Sequence, residues 1–149
     1  MGDVFTPLAW AKYAAQRYGV LAQWLAGKSV FDPTMGQGAL LAALIELGLE
    51  AGYTLAELPV HNLYGNERDV VHFQAAIAYF QTQYGLSLGN NLSNDDILEK
   101  SPQKFDVLFG NPPWINFSDL PNDYKEFSKR HFSESPLVDK RSKIGRAHV

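Results

Sequence analysis

The sequence predicts an α/β fold: a doubly wound parallel sheet of about four strands, joined by right-handed helical crossovers. Three observations predict it. Short runs rich in Val, Phe, Tyr and Leu alternate with longer runs whose apolar residues recur at helical spacing. A glycine-rich turn, Thr34–Met35–Gly36–Gln37–Gly38, follows directly on the first short run. Every unusual residue cluster then falls just past a strand, where ligands collect in sheets of this kind.

The elements follow in order. Leu8, Ala11, Ala15, Tyr18, Leu21 and Leu25 recur at helical spacing and predict one helix over 9–25. A short strand over 28–31 runs into Asp32–Pro33 and the glycine turn. Residues 39–49 form a strong helix with no Gly or Pro before Gly48. Residues 52–59 read as a loop or a broken helical piece, and 48–61 as a surface insertion. A second strand over 62–65 precedes an amphipathic helix over 70–84, in which Phe73, Tyr79, Phe80 and Tyr84 read as core. A weaker strand is predicted over 86–92. A fourth, over 104–109, is stopped by Gly110–Asn111–Pro112–Pro113. One more helix is predicted over 121–131.

Composition bounds the function. The 149 residues suit one domain, and 46% hydrophobic against 19% charged suits a globular core. No apolar run approaches the ~20 residues of a membrane helix, and the start does not read as a secretory signal. With no cysteine, disulfides and thiolate chemistry are excluded. His61, His72, His131 and His148 lack metal-ligand spacing, so no metal site is expected. A cytoplasmic protein is expected. Residues 1–113 carry six Lys and Arg against eleven Asp and Glu, whereas 114–149 carry seven against five. Neither part is the dense basic surface of a self-sufficient nucleic-acid binder. A four-stranded sheet would leave an open edge, so a longer natural domain is expected. The last six residues, Ile144 to Val149, match a one-frame translation of a common sequencing-library adapter. Residues 1–143 are therefore read as the protein and 144–149 as an artefact tail.

Four clusters carry chemistry. In Asp32–Pro33–Thr34–Met35–Gly36–Gln37–Gly38, the glycines allow close approach of a ligand to the backbone, and a helix N-terminus follows. Leu41 stands where a dinucleotide fingerprint has its third glycine, and no Gly-Lys-Ser/Thr follows, which excludes a phosphate-cradling loop. Asp32 suits a cationic or amine-bearing ligand; a plain strand-to-helix turn is the bland reading. Glu67, just past the second strand, is placed to accept from ribose hydroxyls, whereas Asp69 suits a helix cap. Asp96 beside Ile97 can accept from an adenine amine under an apolar cover, or serve as an ordinary loop acid. In Asn111–Pro112–Pro113–Trp114 the prolines make the carbonyl directions rigid. Asn111 offers an acceptor and Trp114 a flat plate, which together suit a planar ligand bearing an NH2 group.

Taken in order, these runs resemble the γ-class N6-adenine amino-methyltransferases that use S-adenosylmethionine. Phe5–Thr6–Pro7 is similar to their N-terminal motif, and Asp32–Pro33 with Gly36 and Gly38 to their glycine-rich motif. Glu67 matches the ribose-binding acid, Asp96–Ile97 the adenine-binding pair, and Asn111–Pro112–Pro113–Trp114 the catalytic (N/D)-P-P-(Y/F/W) motif. The resemblance covers residues 3–115 and implies a Rossmann-like methyltransferase fold truncated after about four parallel strands. It further implies direct in-line methyl transfer to a flipped-out adenine. Asn111 and the Pro112 carbonyl would accept the amine hydrogens, with Trp114 on the base. Thr6 and Pro7 would line the methionine end of the cofactor. The motif order implies a recognition domain C-terminal to these residues, double-stranded DNA as partner, and a restriction endonuclease or specificity subunit as further partner. The same tetrapeptide occurs in methyltransferases of RNA and of protein glutamine amides. Thr6–Pro7 and the long interval from Gly38 to Glu67 favour DNA. An inactive nucleoside-binding fragment is the non-enzymatic alternative.

Overall fold

A computed structural model of the chain describes residues 5–101, 103–112, 122, 123, 125 and 126. Pro113, Trp114 and residues 144–149 lie outside the described residues, as does most of the helix predicted over 121–131, of which Asn122, Asp123, Lys125 and Glu126 are helical. The chain divides into two compact units, Met1–Asn111 and Pro112–Val149. The first contains the sheet.

Two helices stand where one was predicted: α1 (Leu8–Arg17) and α2 (Val20–Leu25). Gly19 between them adopts φ +70°, a left-handed conformation that a right-handed helix cannot continue through. Ala11, Ala15 and Trp24 still reach the core, and the Trp24 indole N–H donates to the Pro59 carbonyl at 3.0 Å. Strand β1 (Val30–Asp32) is buried throughout and leads to α3 (Ala39–Glu50). Of the stretch 48–61, residues 49–54, 56, 57 and 61 are exposed, as a surface insertion would be, but Gly48 and Leu58 are buried. Gly48 belongs to α3, and Leu58, 3% exposed, packs where a Gly48 Cβ would stand 2.5 Å from it. A 3-10 turn, Val60–Asn62, leads into β2 (Leu63–Asn66), followed by α4 (Val70–Tyr84), β3 (Leu92–Ser93) and β4 (Val107–Leu108).

The sheet is parallel with strand order β3-β2-β1-β4, so the chain winds outward from β1 to β3 and then crosses back to add β4 on the other side of β1. Val30 aligns with Leu63 and Val107, Phe31 with Tyr64 and Leu108. Since side chains alternate faces, Val30, Leu63 and Val107 share one face. Val30 and Leu63 there join Leu41, Leu44 and Ile45 of α3 in the main core, with Val107 packed against it. Phe31 and Tyr64 take the other face, where Phe105 stacks on Phe31 with centroids 4.4 Å apart.

Two strands are shorter than predicted. Of 86–92 only the end pairs, because Gly85 closes α4 in a left-handed turn and the Leu88 carbonyl accepts from both Asn91 and Leu92 amides. Of 104–109 only Val107–Leu108 pairs. The preceding Asp106 carboxylate instead binds the Ser29 amide and hydroxyl at 2.8 and 3.0 Å, taking the place of a ladder bond. Among the described residues, no helix is long and apolar enough to cross a membrane.

Candidate active site

The site grows out of the tip of β1. Asp32 follows Val30 by two residues and so points to the same, helix-covered face. It is 1% exposed, and its Oδ1 accepts from the Thr34 amide at 3.0 Å. Burial pushes its carboxyl up to about 7; the Thr34 amide opposes the rise and the charge of Glu67 adds to it. Beyond it the turn closes on two left-handed glycines with different tasks. Gly36 (φ +56°) donates its amide to Glu67 Oε2 at 2.9 Å, and a Cβ there would stand 3.3 Å from the Phe5 ring. Gly38 (φ +90°) opens α3 over the Phe80 ring, which a Cβ would meet at 2.7 Å. Packing on α4 therefore demands the second glycine.

Glu67 sits just past β2 with both carboxylate oxygens in use, Oε2 on Gly36 and Oε1 on the Asp69 amide at 2.8 Å. It thus ties the β1 turn to the start of α4. Asp69 caps α4 through the Val71 and His72 amides, as its position predicts. Asp96 is half-buried past β3; its Oδ1 accepts from the Leu98 amide at 3.1 Å and its Oδ2 lies 3.6 Å from Arg68 Nε. Ile97 beside it is half-buried.

A residue that sequence reasoning passed over holds these tips together. Asn66, 1% exposed, donates to the Pro33 and Asp95 carbonyls at 3.3 and 3.0 Å. Its Oδ1 accepts from the Ser93 hydroxyl and the Asp95 amide at 2.8 and 3.1 Å. One amide therefore bridges the loops after β1 and β3. Asn66→Ala removes four part-buried hydrogen bonds and is expected to cost roughly 2–4 kcal/mol of stability, read from urea unfolding. A loss under about 0.5 kcal/mol would overturn this role.

A cavity of about 260 Å³ opens on the helix-covered side of the strand tips. Thr6, Asp32, Gly36 and Asn111, all predicted site residues, line it. They come from three separate segments: the residues before α1, the turn after β1 and the residues after β4. Asn111 Nδ2 donates to Thr6 Oγ1 at 3.1 Å, joining two residues 105 positions apart. Phe5, Leu8, Met35, Leu40 and Tyr79 supply the apolar wall. Thr34 also lines it, and its Oγ1 is buried with no hydrogen-bond partner among the described residues. Pro7, Gly38, Glu67, Asp96 and Ile97 are not on this wall. Pro7 is the residue before α1; Glu67 and Asp96 lie along the neighbouring strand tips. Pro112 begins the second unit.

The sequence profile of the N-6 DNA methylase family matches residues 1–143. The chain belongs to this family. Solved structures share its fold. One is described as a modification subunit of a type I restriction enzyme from Vibrio vulnificus YJ016. It is 21% identical with a TM-score of 0.55, over 83% of this chain and 28% of that one. A second is described as a class I S-adenosylmethionine-dependent methyltransferase from Listeria monocytogenes. It is 17% identical with a TM-score of 0.57, over 93% of this chain and 38% of that one. A third is the ATP-dependent Type ISP restriction-modification enzyme LlaBIII bound to DNA. It is 16% identical with a TM-score of 0.57, over 86% of this chain and 12% of that one. The chain therefore spans well under half the length of these structures. No curated protein matches the sequence.

Within this N-6 DNA methylase chain, Tyr79 is the clearest residue missed from sequence. Helical periodicity assigns it to the core with Phe80, yet it is 37% exposed on the cavity rim. Nothing in the periodicity distinguishes a ring at the edge of an apolar stripe from one at its centre. For Asn66 a signal existed: an amide between Gly65 and Glu67, directly after a predicted strand, needs partners wherever the strand tip is buried.

Proposed function

We propose that this chain is the cofactor-binding and catalytic part of an enzyme that methylates the N6 amine of adenine in DNA, with S-adenosylmethionine as methyl donor. The observation that carries the reading is the meeting of Thr6, Asp32, Gly36 and Asn111 on one cavity, in a chain of the N-6 DNA methylase family.

The residues present fit the cofactor. When bound, S-adenosylmethionine supplies an electrophilic methyl group on a positively charged sulfur. Asp32 offers a carboxylate in a dry floor, where attraction to a cation is strong. Phe5 and Tyr79 offer ring faces that favour a cation. The Thr34 hydroxyl lacks a partner that a polar ligand group would supply. Glu67 retains lone pairs for ribose hydroxyls beside the two it already uses, and Asp96 with Ile97 lies at the next strand tip for the adenine end. Asn111 Oδ1 and the Pro112 carbonyl accept the hydrogens of the substrate amine. This draws the nitrogen lone pair out of conjugation and orients it. A base must leave the duplex to reach such a pocket, and Trp114 stacks on it. Double-stranded DNA is gripped mainly by a recognition domain beyond these residues, and an endonuclease or specificity subunit is the further partner.

The test is methyl transfer from tritiated S-adenosylmethionine by the complete gene product, with duplex DNA, RNA and a glutamine-containing protein as acceptors. N6-methyladenine in the DNA is expected. Transfer only to RNA or to a protein amide would overturn the DNA reading.

Cofactor affinity is expected to depend on pH through Asp32, whose carboxyl titrates at about 7. A cationic ligand favours the ionised form, so affinity rises as pH increases, by up to about tenfold per unit below 7, and levels off above it. Stability of the free chain runs the other way. The folded state keeps the Asp32 proton from about pH 4 to 7, where the unfolded state has lost it, so stability falls as pH rises through that window. Asp32→Asn should flatten the affinity profile in calorimetric titrations. A wild-type profile already flat across this range would refute the assignment.

A further inference from the structure

The hydrogen bond between Asn111 and Thr6 does more than join the two ends of the cavity wall. The Asn111 amide is planar, with its oxygen and nitrogen fixed relative to one another, so whatever holds the nitrogen aims the oxygen. Here Nδ2 donates to Thr6 Oγ1 at 3.1 Å. A substrate amine presents hydrogens, so Oδ1 must face it; the flipped amide would set donor against donor. Asn111 is exposed and follows Gly110, so local packing alone does not choose between the two orientations. Thr6 is half-buried. Pro7, with φ −60°, restricts the backbone of Thr6 to extended conformations and leads into α1, whose Ala11 and Ala15 are fully buried.

We propose that Thr6 is a positioning residue for the transfer step: its hydroxyl holds the Asn111 NH2, so that Asn111 Oδ1 is presented to the acceptor amine. The inference rests on the proposed function and departs from the reading that places Thr6 at the methionine end of the cofactor. A cofactor contact would alter cofactor affinity, whereas a positioning residue alters turnover.

The experiment uses the complete gene product with Thr6→Val, which keeps the shape and removes the acceptor, and Thr6→Ser, which keeps the oxygen. Thr6→Ala replaces the valine variant where valine disturbs folding. Cofactor Kd is measured by calorimetry, and kcat at saturating cofactor on duplex DNA. Thr6→Val is expected to lower kcat roughly 10- to 100-fold while Kd moves less than about threefold, with Thr6→Ser close to wild type. Unchanged kcat in Thr6→Val overturns the proposal. A raised Kd with kcat retained also overturns it and makes Thr6 a cofactor contact. Wild type without activity on DNA removes the proposed function itself, and the positioning role with it; an active wild type unaffected by Thr6→Val removes the positioning role alone.

Discussion

Asn111→Ala in the complete gene product is expected to abolish methyl transfer while leaving S-adenosylmethionine binding intact. The substitution deletes the proposed side-chain acceptor for the amine hydrogen, while the hydrogen bonds that hold the Asp32–Gly36 turn, from Thr34 to Asp32 and from Gly36 to Glu67, do not involve Asn111. Loss of one preorganised hydrogen-bonding group at a reacting centre costs about 10²–10³ in rate. Here the remaining acceptor, a main-chain carbonyl, cannot orient the lone pair alone. Asn111→Asp keeps two acceptor oxygens and should retain part of the activity, consistent with the (N/D) alternation of the motif it resembles. Single-turnover transfer of labelled methyl, paired with calorimetry of the cofactor, checks both halves. Near-normal turnover in Asn111→Ala would refute the catalytic assignment; loss of cofactor binding would recast the residue as part of the cofactor pocket.

Glu67→Ala should act on binding instead. The carboxylate holds the Gly36 and Asp69 amides at 2.9 and 2.8 Å, so it fixes the glycine turn besides the ribose contact proposed for it. Hydrogen bonds to a charged group contribute about 1.5–3 kcal/mol each. A rise of roughly 10- to 100-fold in cofactor Kd follows, with kcat preserved once cofactor saturates. Glu67→Gln keeps one acceptor and should lie between. An unchanged Kd in Glu67→Ala would remove both the ribose role and the brace on the turn.

The two predictions draw on different kinds of information. Glu67 is legible in the sequence because an acid just past a short strand has few other tasks, and the neighbouring Asp69 already serves as the helix cap. Gly36 and Gly38 look alike in the sequence. Only the fold separates them, setting one at the cavity and the other over the Phe80 ring. The 9–25 periodicity signals burial in part: Ala11 and Ala15 are in the core and Leu21 and Leu25 pack against it, but Leu8 and Tyr18 are exposed, and the pattern does not register Gly19. One glycine weakens a helix by only about 1 kcal/mol relative to alanine, which packing readily overrides in either direction.

From the sequence by itself came the strand–helix alternation, the glycine turn after β1 and the Asp69 cap, while the family resemblance singled out Thr6, Asp32, Gly36 and Asn111, which line one cavity. The first three depend on periodicity, turn chemistry and residue type, which act over a few neighbouring positions and remain readable along the chain. The fold alone decided the Asn111–Thr6 hydrogen bond across 105 residues, the Asn66 bridge between strand tips and the rise of the Asp32 carboxyl. Each depends on what a side chain meets after packing and on how much water is excluded, and no local pattern encodes either.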